Sequence, residues 1–164
     1  MVVLVSLGAG GATEVSDGPV TPVFVIDKSL NRNQVVYGLS LDRTCALQGE
    51  EPVRVYWQMR ERGAHETEGL LDAERPLIGL GPQRVIERRP DGGKVRVAIR
   101  ALPERPLTFE ARRVGEGCEA WATMTIAGRD ATLEHVFAQV WLLGVISVSL
   151  EGRVEGAPIV EQLR

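Results

Sequence analysis

The sequence predicts an all-β protein: a single-domain antiparallel barrel or sandwich of about nine strands, with at most one short helix. Apolar residues recur at every second position, as in Val35, Tyr37, Leu39 and Leu41, and this spacing places them on one face of a strand. Turn-forming residues separate such segments at intervals of about 8–12 residues, which is typical of sandwiches and barrels. The length of 164 residues fits one domain, which is large enough to bury a stable core without needing disulfides or metal ions.

Nine segments have strand patterns, and a tenth over 159–163 adds a short edge. Eight have the ranges 23–26, 34–41, 53–60, 94–101, 107–112, 118–126, 133–141 and 145–150, and the ninth lies within 77–89 with its centre at Val85 and Ile86. Pro52 opens the third segment, where proline is tolerated. Residues 103–106, which begin and end with proline, predict a turn between the fifth and sixth segments. Residues 67–74 predict one or two helical turns, because Asp72 is a candidate N-cap and Pro76 prevents a longer helix.

The second half of the chain has the clearest hairpin. Pro90–Gly93 combines proline, Asp-Gly and Gly-Gly, the strongest turn signal in the chain. Residues 94–101 then alternate, which predicts one face lined by Arg96 and Arg100. The segment 136–150 is apolar on both faces. Such a strand is covered on its second face by packing or by an interface.

The N-terminus predicts export. Residues 2–7 are apolar and residues 8–12 are small, which resembles the end of a secretory signal. The basic first region is missing and the apolar run is at the short limit of about 7 residues, as if the start codon were misplaced. A strand-forming or frayed terminus is the alternative. We therefore divide the chain into a signal-like segment and linker over 1–22 and a β-rich domain over 23–164, with a periplasmic, cell-envelope or secreted location.

Charge, hydropathy and cysteine content argue against a nucleic-acid-binding, transmembrane or zinc-binding protein. The net charge is −3, and no basic patch with interleaved aromatics is present, so nucleic acid is not an expected partner. No segment is apolar enough for a transmembrane span. Cys45 and Cys118 predict a disulfide in an oxidising compartment, the alternative being two buried thiols. Two cysteines without a neighbouring histidine do not make a zinc site. No metal ion and no cofactor are expected.

The polar segment Asp27–Asn33 is the densest cluster of functional side chains and follows a predicted strand. Its amides and charges are suited to binding a polar ligand in a loop at the end of the fold. The simpler interpretation is a turn whose asparagines bind the backbone. The candidate binding residues are Lys28, Asn31, Arg32, Asn33, Tyr37 and Trp57.

Evidence for catalysis is weaker. His65 lies near Glu66 and Glu68, which suits a metal or acid–base pair but also a solvated surface. His135 alternates with apolar neighbours and is interpreted as a wall or core residue. The acidic pairs Glu50–Glu51 and Glu116–Glu119 lie in loops, and no nucleophile elbow, Walker loop or His-Glu-x-x-His motif occurs. No catalytic residue is therefore assigned. Trp57, Trp121 and Trp141 are interpreted as core residues, and the alternative is that they line a ligand pocket.

Several of these residues also form a family-like pattern. The chain resembles the bacterial domain-of-unknown-function family DUF4833, through Phe24-Val-Ile, Ser29-x-Asn31-x-Asn33-x-Val35-x-Tyr37 and Glu51-Pro-Val-x-Val-Tyr-Trp57. The resemblance covers residues 23–163. It implies one compact domain, often behind a signal peptide, and implies no activity.

Three functions follow as expectations. The first is a non-catalytic, exported binding or structural module, with a small apolar or amphipathic molecule as a candidate ligand. The second is a hydrolase in which Asp27, Lys28, Asn31 and Asn33 converge with a histidine. The third is an interaction domain that buries the 136–150 face against a protein partner or a second copy.

Overall fold

The computed structural model describes residues 20–63, 66–69, 82–89, 92–99, 102–141 and 144–163. Within these ranges the chain forms strands and no helix, so the all-β class is confirmed. Eleven strands are present there, against about nine predicted. They are β1 (Val20–Lys28), β2 (Asn31–Ser40), β3 (Val53–Gln58), β4 (Thr67–Gly69), β5 (Pro82–Arg88), β6 (Lys94–Ile99), β7 (Leu102–Val114), β8 (Gly117–Ile126), β9 (Arg129–Trp141), β10 (Gly144–Val154) and β11 (Ala157–Leu163).

Two local predictions need correction. Residues 67–69 form β4 on the edge of β3, although helical turns were predicted from residue 67; residues 70–74 lie outside the described part of the chain. Residues 103–106, predicted as a turn, lie within β7. The ladder with β6 shifts there, between Val97 and Ile99, so prolines without an N–H fit at this irregular site. The signal-like residues 1–19 also lie outside the described ranges.

The sheet is mixed, which corrects the predicted antiparallel arrangement. β1 runs parallel to β9, with Val25 opposite His135 and Asp27 opposite Phe137. All other described strand pairs are antiparallel. Alternation identifies the faces of a strand but contains no information on its direction, so the sequence pattern gave no means of detecting this pair.

Strand β9 is the branch point of the sheet. One of its edges pairs with β8 over residues 129–133 and then with β1 over residues 135–138. The other edge pairs with β10. Glu134 is the extra residue at the change of partner, because Gly152 faces Leu133 and Glu151 faces His135. Such a bulge bends a strand and increases its twist, which lets two arms diverge from β9.

The two arms curl around one core. One arm has the order β1-β2-β3-β4 and the other β8-β7-β6-β5. Phe24 of β1 stacks on Tyr37 of β2 at 4.7 Å between ring centroids and on Phe109 of β7 at 6.1 Å. Side chains from both arms belong to the same buried cluster. The alternating residues therefore provide the core that the sequence predicts.

Contacts outside the core also join the arms. The predicted disulfide is confirmed: Cys45 and Cys118 are bonded, with Cα atoms 5.5 Å apart. Nearby, Arg113 donates to the Arg43 carbonyl oxygen at 2.8 Å. The Leu47 N–H donates to the Gly92 carbonyl oxygen at 2.8 Å. The loop after β2 is thus fixed to the opposite arm by a covalent bond and two hydrogen bonds.

Candidate functional site

Two hairpins meet at one end of the fold. Ser29, in the turn between β1 and β2, donates its N–H to the Ala138 carbonyl oxygen at 3.1 Å. Its hydroxyl donates to the Val140 carbonyl oxygen at 3.2 Å and accepts from the Val140 N–H at 3.0 Å. These bonds place the β1–β2 turn beside the last residues of β9. We call residues 28–33, 137–141 and 144–146 the hairpin end.

The predicted polar loop lies in this end, and its amides bind the backbone. Asn31 Oδ1 accepts from the Asn33 N–H at 3.1 Å, and Asn33 Oδ1 accepts from the Glu61 N–H at 3.2 Å. The Glu61 carboxylate accepts from the Arg32 N–H at 3.1 Å. These contacts stabilise the turn and connect it to the end of β3. They match the simpler interpretation of the asparagines, while ligand binding by this loop stays a prediction.

The remaining predicted binding residues are Lys28, at the surface, and Tyr37 and Trp57, both buried. The Lys28 ammonium lies 3.8 Å from the centre of the Trp57 ring, a cation–π contact that desolvates the charge on one side. Trp57 itself is buried in the core. Tyr37 is fully buried against Phe24. Lys28 is therefore near the surface of the hairpin end, whereas Tyr37 has no solvent-facing atoms to offer a ligand.

A histidine between two carboxylates lies on the outer face of β1, β9 and β10. His135 Nε2 is 2.8 Å from Asp27 Oδ2, and its Nδ1 is 3.2 Å from Glu151 Oε2. A protonated ring donates to both acceptors, whereas a neutral ring donates to only one. Asp27 and His135 thus converge as the hydrolase hypothesis requires. Lys28, Asn31 and Asn33 have other contacts, and His65 lies outside the described residues.

The hairpin end exposes large apolar side chains. The exposed fraction is 65% for Leu30, 65% for Trp141, 57% for Val145 and 52% for Ile146, and Phe137 is also exposed. Trp141 therefore differs from the interpretation of all three tryptophans as core residues. It closes β9 opposite Gly144, at the edge of the hairpin. The sequence signal that identified this surface was the doubly apolar pattern of 136–150.

A partly buried ion pair between Arg105 and Glu161 connects the C-terminal strand β11 to the rest of the sheet. Arg105 donates to Glu161 through both terminal nitrogens, at 2.5 and 2.8 Å, and the Ala127 N–H donates to the same carboxylate at 2.6 Å. The Arg105 and Ala127 hydrogen bonds lower the pKa of Glu161 to about 2, because they favour its charged form. They attach β11 to β7 and to the β8–β9 turn. No sequence pattern signalled this contact.

A second carboxylate orders the loop that contains Cys45. Asp42 Oδ1 accepts from the Thr44 hydroxyl at 2.6 Å and from the Thr44 and Ala46 N–H groups at 2.7 and 3.0 Å. These bonds, led by the Thr44 hydroxyl, lower the pKa of Asp42. Cys45 adopts a left-handed φ of 68° within this turn. The loop geometry thereby directs the thiol towards Cys118.

Two other features do not occur in the described residues. No group of three histidine, cysteine, aspartate or glutamate side chains in these ranges is arranged to hold a metal ion. Among the same residues, none belongs to a helix long and apolar enough to cross a membrane.

The fold and this surface define a disulfide-linked all-β domain with an exposed apolar hairpin end. Comparison with family models gives a match to the domain of unknown function DUF4833 over residues 24–162. The chain belongs to this family, as the sequence resemblance indicated. No curated protein and no solved structure matched the chain.

Proposed function

We propose that this protein is an exported, non-catalytic interaction module that inserts its hairpin end into an apolar pocket of a protein partner. The supporting observation is the group of exposed Leu30, Trp141, Val145 and Ile146 side chains on two adjacent turns. Single exposed apolar residues are ordinary, whereas several at one end of a fold favour an interaction site. The scaffold in this proposal is sandwich-like, with the two arms facing each other across the core.

The energetic contribution of Trp141 is large enough to matter. Its side chain is 65% exposed, and an aromatic side chain of this kind presents roughly 200 Å² of surface. Burial of the exposed part at about 25 cal/mol per Å² contributes about 3 kcal/mol. This is the range of an interface hot spot, where tryptophan is enriched. One residue of the hairpin end therefore suffices to make a mutational test sensitive.

A partner protein fits this surface better than a second copy or a lipid bilayer. The exposed apolar side chains of the hairpin end need an apolar recess, while the groove formed by the described β5–β10 residues is lined mainly by charged and hydroxyl side chains. A bilayer surface favours a basic collar around an inserted tip. Here Lys28 and Arg32 are balanced by Asp27 and Glu61, so the charge around the tip does not favour anionic lipid.

Export is the second part of the proposal. The Cys45–Cys118 bond supports it, because stable disulfides form in oxidising compartments. Thiol labelling of the protein inside its own cells tests this point. Resistance to a maleimide before reduction, and reaction at both cysteines after reduction, would support export. Two cysteines that react without reduction would overturn it.

The hydrolase alternative has one observation in its favour, the contact between Asp27 and His135. A general base needs one ring nitrogen directed at the proton that it removes. In the described residues both nitrogens of His135 face carboxylates, from Asp27 and Glu151. The geometry resembles a structural ion cluster more than a catalytic dyad, and the interaction module is therefore the preferred function.

A photo-crosslinking amino acid at position 145 in living cells tests the partner. The same probe at Val160 of β11 is the matched control, because that side chain is also exposed but lies outside the hairpin end. We expect one protein partner at position 145 and none at position 160. The purified partner should then bind the Trp141→Ser variant about a hundredfold more weakly than the wild type. Crosslinks only to a second copy or to lipid, or unchanged affinity, would overturn the proposal.

A further inference from the structure

We propose a second binding site, for an extended oligosaccharide, in the groove on the outer face of β5–β10. The groove has a volume of about 1070 Å³ and is lined mainly by polar side chains from β5, β6, β7, β8, β9 and β10. It is separate from the hairpin end, and none of the candidate binding residues predicted from the sequence lines it. The proposal does not depend on the interaction function argued above.

A row of side chains on five neighbouring strands crosses the groove. In the strand registers, Arg96 is opposite Thr108, Thr108 opposite Thr123, Thr123 opposite Thr132, and Thr132 opposite Arg153. Neighbouring strands are about 4.8 Å apart, so the row from Arg96 to Arg153 spans about 19 Å. Three adjacent hydroxyls thus lie between two guanidinium groups on five consecutive strands. This length accommodates several sugar rings.

The hydroxyls of the row are available to a ligand. Thr108, Thr123 and Thr132 are half-buried, and within the described part of the chain their hydroxyls make no hydrogen bond to protein. A threonine hydroxyl both donates and accepts, as sugar hydroxyls do. Arg96 likewise has no ion-pair partner among the described residues. Three half-buried hydroxyls with unused hydrogen-bonding capacity fit a hydroxyl-rich ligand.

Fixed ion pairs hold the rim of the groove. Arg153 donates to Glu134 at 2.7 Å and to the Gly156 carbonyl oxygen at 3.1 Å. Arg105 is held by Glu161, and Lys94 is paired with Glu110 at 2.8 Å. These contacts orient the basic side chains in the protein without ligand, and preorganised groups lose less entropy on binding. The central strands supply a rigid base because their backbone groups are paired in the sheet.

The charge balance selects among ligand classes. Five basic and four acidic side chains line the groove, so a densely charged polyanion such as nucleic acid would meet carboxylates as often as guanidinium groups. A peptide strand normally binds to a free sheet edge through its backbone, but this groove lies across paired strands. A sugar chain with few carboxylates can form hydrogen bonds to the threonine hydroxyls through its own hydroxyls. One of its carboxylates can then pair with Arg96.

Calorimetric titration of the wild-type protein with three hexasaccharides tests the site: cellohexaose, chitohexaose and hexagalacturonate. We expect saturable binding of at least one, about tenfold weaker in Thr123→Val, which replaces a hydroxyl with a methyl of similar shape. Thr67→Val on β4 is the matched control and should not change the affinity. If Arg96→Gln weakens only the hexagalacturonate complex, the ligand is a carboxylated glycan. If it has no selective effect, the ligand is a neutral one.

Two results would overturn the proposal. One is the lack of saturable binding to all three hexasaccharides at millimolar concentration. The other is binding that is equal in the wild type and in Thr123→Val, provided that both proteins have the same melting temperature. Valine is a good strand former, so we expect the variant to fold. Tighter binding of inorganic polyphosphate than of every hexasaccharide would also count against an oligosaccharide site.

Discussion

The disulfide gives the sharpest stability prediction. Cys45 and Cys118 are 73 residues apart in the chain. In the chain-entropy model, closing a loop of this length removes about 4 kcal/mol of entropy, as TΔS, from the unfolded state. We expect the double variant Cys45→Ala, Cys118→Ala to lose about 4 kcal/mol of unfolding free energy. For a chain of this size that corresponds to a fall of about 12 °C in melting temperature.

Urea unfolding of the wild type and the double variant, each with and without reductant, measures this loss. The midpoint of the oxidised wild type should be the highest, and reductant should lower it to near that of the double variant. Reductant should leave the double variant unchanged, which is the control. Without the disulfide, the free energy of unfolding should fall more steeply with urea concentration, because the unfolded chain exposes more surface. A loss below about 1 kcal/mol would refute the loop-closure argument.

Three further perturbations test other contacts. The pKa of Glu161 falls from 4.5 to about 2 in the folded protein, so the stabilisation by its ion pair is present above about pH 4.5 and is lost as the pH falls towards 2. Over that interval, urea unfolding should show that the wild type loses about 1–2 kcal/mol more unfolding free energy than Glu161→Gln, after allowance for solvent screening. Equal losses would contradict the role of the ion pair. Gly152→Ala places a Cβ 2.3 Å from the Thr132 carbonyl oxygen and should destabilise by about 3 kcal/mol, whereas Gly69→Ala meets no atom within 4 Å and should be nearly neutral. Trp141→Ser should change the free energy of unfolding by less than about 0.5 kcal/mol, because a side chain that serves binding is already in water; a large loss would place Trp141 in the core.

The predictable part of the fold is local. Strands β6 and β8 alternate cleanly, so their faces and approximate limits follow from period two. β4 was missed because three exposed residues, Thr67–Gly69, have no apolar alternation. Residues 103–106 were assigned to a turn because proline usually ends a strand, and the shifted ladder that admits them involves β6. Where pairing with a distant strand decides the structure, local sequence preferences are not sufficient.

The candidate sites show the same limit. The doubly apolar pattern of 136–150 predicted a second apolar face, and Asn31 and Asn33 were interpreted either as ligand-binding residues or as residues that bind the backbone in a turn. The contact of Asp27 with His135 joins residues 108 positions apart, and nothing in either local segment indicates it. The threonine row depends on the registers of four strand pairs, from β6 to β10. A single residue of slip in any ladder would have removed it.

The branch at β9 also has a kinetic consequence. The strands from β5 to β11 pair with their neighbours in the sequence, and such hairpins form quickly because their loops are short. The pairing of β1 with β9 instead joins residues 110 positions apart, as in Val25 and His135, and a long loop must close before it forms. During synthesis, β1–β3 leave the ribosome well before β9 exists. We therefore expect the first hairpin to wait, with its apolar face unprotected, until the last third of the chain has emerged.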